Sequence, residues 1–123
     1  MRVRTYAPAV AGFCTALAFV TALFSCAGPK DPGERVWARR CSACHGRDGR
    51  GRTRFSRNRP YADLTDGRWK QGGDRASIRR SISGGVPKSP MEGFGGRLSP
   101  AEIDAVTGYV LRLAAAPRPT PHR

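Results

Sequence analysis

The sequence is poor in cysteine, histidine and acidic residues. After residue 26 its only cysteines are Cys41 and Cys44, and its histidines are His45 and His122. A bridge between cysteines three positions apart closes too short a loop to stabilise a domain much, so a disulfide framework is excluded. A four-ligand zinc site lacks its second cysteine pair. Only 9 Asp and Glu stand against 22 Lys and Arg, which favours acidic partners or an anionic surface.

Long apolar runs are missing beyond residue 25, and the one that exists lies at the N-terminus. Arg2 and Arg4 precede an uncharged apolar stretch, an order typical of a bacterial secretory signal. The letters LFSC end at Cys26 and resemble a lipobox, so we predict a lipoprotein signal peptide over residues 1–25 and lipidation of Cys26. Cleavage after Ala27 and an uncleaved anchor are the alternatives. Each alternative places the remaining chain on the periplasmic side of a bacterial membrane.

Export also argues against nucleic acid as the partner of the positive charge. Two of the 22 Lys and Arg lie before residue 26, so the rest of the chain carries 20 basic and 9 acidic residues, a formal charge of +11. No nucleic-acid-binding motif accompanies this charge. We predict a tether over residues 26–31, one small domain over 32–114, and a disordered Pro-rich tail over 115–123.

Capping signals predict three helices joined by long glycine-rich loops. Asp31 is placed to cap a helix that runs to about Cys44, and Asp74 to cap a second helix that ends at a pair of glycines. Ser99 and Glu102 form a capping box, and apolar residues every three or four positions follow them. Loops of this length are unusual in a compact domain unless they pack on something besides their own side chains.

The motif CSACH, residues 41–45, indicates what the loops pack on. C-x-x-C-H is the attachment motif of c-type haem: two thiols form thioethers with the vinyl groups, and the adjacent imidazole binds the iron. Cys41 and Cys44 would hold the ring, and His45 would be the proximal ligand. A thioredoxin-like pair would need a βαβ context, which the helical pattern denies. A structural thiol pair is the remaining alternative.

A sixth iron ligand is expected from the only methionine of the predicted domain. Met91 lies in GVPKSPMEGFGG, residues 85–96, whose prolines and glycines exclude a helix or a regular strand. Such a loop can place a thioether sulfur over the second face of a haem. The alternative for a single methionine is that it only fills the core.

The motifs together resemble those of class I bacterial cytochromes c, small single-haem proteins, over residues 32–114. The resemblance rests on CSACH, on the methionine loop, and on Gly33 and Trp37, which lie eight and four positions before the first cysteine. It implies an all-α cytochrome c fold, with three to four helices and long loops wrapped around one covalently bound haem c. It also implies that Gly33 and Trp37 pack against Tyr109 of the last helix.

Two residues and one loop around this site have predicted roles. By the resemblance, the ring N–H of His45 bonds a carbonyl of a proline loop, for which Pro60 or a neighbour is the candidate. Trp69 is expected to line the haem or reach a propionate, with plain packing as the alternative. The loop over residues 47–59 is either a solvated charged loop or a docking surface for an acidic redox partner. It carries Arg47, Arg50, Arg52, Arg54, Arg57 and Arg59.

The predicted function is one-electron transfer by a monomeric, periplasmic cytochrome that is anchored to the membrane through a lipid or its N-terminus. His45 and Met91 would stay bound while the iron changes oxidation state, and no substrate pocket is required. The alternative is a haem-bearing electron-transfer subunit or domain partner of a respiratory or other redox enzyme. A sensor or peroxidase would need an open sixth position and a distal acid or base, for which no histidine is available.

Overall fold

A computed structural model describes residues 31–118, and within that range every regular element is helical. The α-helices are α1 (Pro32–Arg40), α2 (Ser42–His45), α3 (Arg75–Gly84) and α4 (Pro100–Ala115), and a 3-10 turn covers Pro60–Ala62. The prediction of an all-α fold with three to four helices is confirmed. No helix within residues 31–118 is long and apolar enough to cross a membrane. The predicted signal peptide, Cys26 and nearly all of the tether lie outside the described residues.

The predicted caps are present at all three long helices. Asp31 and Asp74 each accept a hydrogen bond of 3.0 Å from the backbone N–H three residues further on. Ser99 Oγ accepts the N–H of Glu102 at 3.2 Å, and the Glu102 carboxylate accepts the N–H of Ser99 at 3.0 Å. Each cap contributes about 1 kcal/mol to helix stability.

The first predicted helix is interrupted at the first cysteine of the motif. The backbone N–H of Cys41 still bonds the carbonyl of Trp37 at 2.9 Å, but α1 ends at Arg40 and the single turn α2 follows. The backbone N–H of His45 bonds the carbonyl of Cys41 at 3.0 Å, which fixes the geometry between the first cysteine and the histidine. Gly46 then ends α2 at a positive φ of 77°.

The crossing of α1 and α4 forms the base of the core. A Cβ on Gly33 would clash with the carbonyl of Ala105, so only glycine allows the two backbones to approach this closely. The rings of Trp37 and Tyr109 lie with their centroids 5.7 Å apart across the same crossing. The contact of Trp37 with Tyr109 that the family resemblance implied is therefore confirmed, whereas Gly33 meets Ala105 of the same helix. The buried cluster between α1, α3 and α4 consists of eight residues: Val36, Trp37, Ile78, Ile82, Leu98, Ile103, Val106 and Val110.

The C-terminal segment differs from the predicted disordered tail over residues 115–118. Helix α4 continues to Ala115, because the run of alanines extends the helix until a proline stops it. Arg118 then contacts the loop after the 3-10 turn: its guanidinium lies 3.3 Å from Asp63 Oδ2 and donates to the carbonyl of Thr65 at 3.3 Å. Residues 119–123, including His122, lie outside the described residues.

Candidate haem site

The four predicted site residues line one cavity of about 510 Å³ beside the core. Helix α2 and the preceding turn place Cys41, Cys44 and His45 on one part of its wall, and the loop after α3 contributes Met91. The rest of the wall is mainly apolar, and includes Trp37, Leu64, Trp69, Ile78, Ile82 and Val110. A cavity of this size with few polar groups is typical of a site for a cofactor.

The imidazole of His45 is oriented by one hydrogen bond. Its Nδ1 lies 2.9 Å from the carbonyl of Ala62, and because a carbonyl only accepts, Nδ1 carries the proton. The other ring nitrogen, Nε2, is the one left to bind a metal. Burial lowers the pKa of His45, and the bond to Ala62 partly opposes this shift. The lowered pKa favours the neutral ring, which is the form that coordinates iron.

The acceptor of this bond lies two positions after Pro60, in the proline loop where Pro60 or a neighbour was expected to accept it. Pro60 opens the 3-10 turn, and its own carbonyl accepts the backbone N–H of Asp63 at 3.4 Å. The carbonyl of Pro60 is therefore used within the turn. The carbonyl of Ala62, two residues later, bonds His45. Pro60 itself lies on the cavity wall.

The two cysteines are not joined by a disulfide, and they differ in exposure. Cys41 is half-buried. This burial, and to a smaller extent the nearby Cys44, raises the pKa of the Cys41 thiol to about 11. Cys44 is exposed. Within residues 31–118 no cluster of three or more His, Cys, Asp or Glu could hold a metal ion, so nothing described there completes a zinc site around this pair.

The loop that carries Met91 is closed on itself at the end of α3. The N–H of Val86 bonds the carbonyl of Met91 at 3.0 Å. The N–H groups of Phe94 and Gly95 bond the carbonyls of Ile82 and Ser83 in the last turn of α3. Gly85 has a positive φ of 79°, and a Cβ there would lie 2.8 Å from the carbonyl oxygen of Met91. Glycine is therefore required where this loop turns back.

Two aromatic side chains that the sequence analysis did not single out have their rings exposed at the same cavity. Phe55 is 51% exposed and Tyr61 is 49% exposed, and both line the cavity. They are the two exposed large hydrophobic residues in the described part of the chain. Trp69 lines it too and packs against Gly73, where any Cβ would collide with the indole. A large apolar ligand in the cavity would cover both exposed rings, as the hydrophobic effect favours. The residues present fit a covalently attached haem.

The arginine-rich loop is ordered by hydroxyl groups rather than by apolar packing. Ser56 is 3% exposed, and its Oγ lies 2.6 Å from the carbonyls of both Cys44 and Gly51. Thr53 Oγ1 lies 3.2 Å from the same Cys44 carbonyl and 2.7 Å from Ser56 Oγ. These contacts fasten the backbone of the loop over residues 47–59 to the end of α2, and Arg59 of this loop lines the cavity.

A helical fold around a cavity that gathers C-x-x-C-H and a loop methionine defines a small single-haem cytochrome c domain. The chain belongs to the family described as cytochrome c oxidase, cbb3-type, subunit III, whose sequence model matches residues 28–110. The predictions of the class, the fold and the cofactor, one covalently bound haem c, are thereby confirmed.

The similar curated proteins are oxidase subunits. The cbb3-type cytochrome c oxidase subunit FixP of Azorhizobium caulinodans is 40% identical over 84 residues, which cover 66% of this chain and 26% of that protein. Subunit CcoP of Rubrivivax gelatinosus is 37% identical over 95 residues, 72% of this chain and 29% of that protein. The chain therefore spans between a quarter and a third of the length of these relatives.

The similar solved structures include a cytochrome c6 and a chain of a larger complex. Cytochrome c6 from the diatom Phaeodactylum tricornutum matches with a TM-score of 0.56 and 33% identity, over 72% of this chain and 97% of that chain. The reducing HAO-like protein complex of Kuenenia stuttgartiensis contains a chain that matches with a TM-score of 0.61 and 26% identity, over 76% of this chain and 48% of that chain.

Proposed function

We propose that this protein transfers single electrons through its haem as a component of a respiratory redox enzyme. The observation that carries the proposal is the single cavity that gathers Cys41, Cys44, His45 and Met91. The relatives named as oxidase subunits favour an enzyme component over the free carrier that the sequence led us to expect first.

Each of the four residues has a distinct role in this proposal. Cys41 and Cys44 would hold the haem through thioethers, and His45 and Met91 would bind its iron. The bound haem supplies an iron that gains or loses one electron. The Ala62 carbonyl keeps the His45 ring in one tautomer and orientation, so that this ligand does not reorganise during the transfer. The thioether of Met91 favours the ferrous state and raises the potential.

Purification of the full chain from its own membranes in mild detergent tests the enzyme-component proposal. We expect oxidase activity to accompany the chain in a fixed ratio, and the haem of the chain to be oxidised by that complex within its turnover time. A chain that is recovered alone, with no oxidase activity, would contradict this part of the proposal. It would leave one-electron transfer by a free carrier intact.

We propose further that the domain lies on the periplasmic side and is anchored through lipidated Cys26. Replacing Cys26 by Ser should release the protein from the membrane fraction, and the unchanged chain should incorporate labelled fatty acid. A mature chain that begins at Gly28 and is found soluble would contradict the anchor. The electron-transfer proposal does not depend on this result.

The arginine-rich loop is proposed to attract the acidic surface of a redox partner. Arg52, Arg54 and Arg57 are exposed, and no carboxylate of residues 31–118 forms an ion pair with them, whereas Arg50 lies 3.7 Å from Asp48. Replacing these three by Gln should slow reduction by an acidic partner roughly threefold or more at low salt, because steering charge is removed. The dependence of that rate on salt should flatten, since exposed charges are screened beyond about 10 Å at 0.1 M.

Three arginines of α3 provide a control with the same change of charge. Arg75, Arg79 and Arg80 lie on α3, outside the loop over residues 47–59, and their replacement by Gln should change the rate much less. Equal effects of the two triple variants would show that only net charge matters, and a salt-independent rate in the unchanged protein would favour a plain solvated loop.

A further inference from the structure

The hydroxyl of Ser89 bridges the two ends of the loop that carries Met91. Ser89 Oγ donates to the carbonyl of Val86 at 2.7 Å and accepts the backbone N–H of Met91 at 3.2 Å. One side chain thus joins the beginning of the loop to Met91, which lines the cavity. Ser89 is half-buried, so these bonds are partly shielded from water.

The backbone at the tip of this loop is strained, and the hydrogen bonds of Ser89 act against opening of the strained loop. Lys88 has a positive φ of 57°, and it is the one residue other than glycine in the described part of the chain with such a backbone. A lysine in this region costs free energy, because its Cβ crowds the following carbonyl. The base of the loop is fixed by the bond from Val86 to Met91, but within residues 87–90 the Ser89 hydroxyl makes the hydrogen bonds that resist this strain.

We propose that Ser89 is a positioning residue for the sulfur ligand: its hydroxyl holds the strained loop closed and thereby keeps Met91 in the cavity. The inference rests on the proposed ligation of iron by Met91 and adds to it what keeps that bond intact. Loss of the hydroxyl would leave the carbonyl of Val86 and the N–H of Met91 to bond water, and an open loop would satisfy them equally well. The open population, in which an external ligand reaches the iron, would rise.

Imidazole binding to the ferric holoprotein measures this open population, because an external ligand binds only the fraction of molecules whose methionine has left. Ser89→Ala should bind imidazole roughly three- to tenfold more tightly than the unchanged protein, and its weak red sulfur-to-iron absorption band should fade at a lower temperature. Ser89→Thr retains the hydroxyl and should restore both properties.

Ser99→Ala provides a matched control. It also removes one serine hydroxyl that accepts a backbone N–H, but at the N-cap of α4, outside residues 85–96. It should lower the melting temperature of the fold and leave imidazole affinity within about twofold of the unchanged protein.

Three results would overturn the inference. Equal imidazole affinity of Ser89→Ala and the unchanged protein would show that the hydroxyl does not hold the loop. An equal rise in Ser89→Ala and Ser99→Ala would assign the effect to overall stability. Absence of the sulfur-to-iron band in the unchanged protein would remove Met91 as the ligand, and that result would also contradict the proposed function, whereas the first two would not.

Discussion

Replacing Met91 by Ala should leave the haem attached but open one coordination position on its iron. Met91 is the one sulfur ligand that the methionine loop offers to the cavity, while the thioethers and His45 are untouched by this change. The ferrous variant should bind carbon monoxide at once, and the unchanged protein should resist it. The reduction potential should fall by tenths of a volt, within the range of about 0.8 V that axial ligands span.

Met91→His separates loss of sulfur from loss of a ligand. An imidazole at this position should again close the iron to carbon monoxide but leave the potential low, because a thioether favours ferrous iron more than an imidazole does. Rapid binding of carbon monoxide by the unchanged protein would mean that Met91 is not a firm ligand. The proposal of an electron-transfer haem would then give way to a sensor or catalytic haem.

Replacing both Cys41 and Cys44 by Ala should abolish covalent attachment. After denaturation and extraction with acidified organic solvent, the haem of the unchanged protein should stay on the polypeptide, and that of the double variant should enter the solvent. The double variant should also lose stability and yield, because a domain of this size has a small core and its cavity leaves Phe55 and Tyr61 half exposed without a cofactor.

Single variants and a neighbouring control complete this test. Cys41→Ala and Cys44→Ala should each retain one thioether, so their haem should remain on the polypeptide. Ser42→Ala lies between the two cysteines, where its hydroxyl donates to the carbonyl of Ala38 at 3.0 Å, and should behave like the unchanged protein. Haem that leaves the unchanged protein during extraction would contradict attachment through CSACH.

The helices could be predicted because their signals are local in the sequence. Asp31, Asp74 and Ser99 mark helix starts through bonds to residues three positions away, and all three caps are present. The C-x-x-C-H motif and the methionine loop are equally local. The family resemblance added the contact between Trp37 and Tyr109, which no pattern within a single helix contains.

The supporting contacts could not be predicted from local patterns because they join distant parts of the chain. Only the family resemblance led us to expect the partner of His45 near Pro60. The bond from His45 to Ala62 spans 17 positions, and the bond from Ser56 to the carbonyl of Cys44 spans 12. A hydroxyl in an arginine-rich loop carries no sequence signal for its acceptor. The aromatic Phe55, isolated among arginines, was the one signal in that loop that could have indicated a covered surface. Likewise, the contact of Arg118 with Asp63 spans 55 positions and was missed.

The central claim is that one haem, bound by His45 and Met91, exchanges a single electron. A potentiometric titration of the purified full-length holoprotein, followed through its haem absorption with and without carbon monoxide, tests it most directly. The account predicts a single one-electron wave, at a potential above that of the Met91→His variant and unchanged by carbon monoxide. A wave that carbon monoxide shifts, or a potential no higher than that of Met91→His, would contradict it.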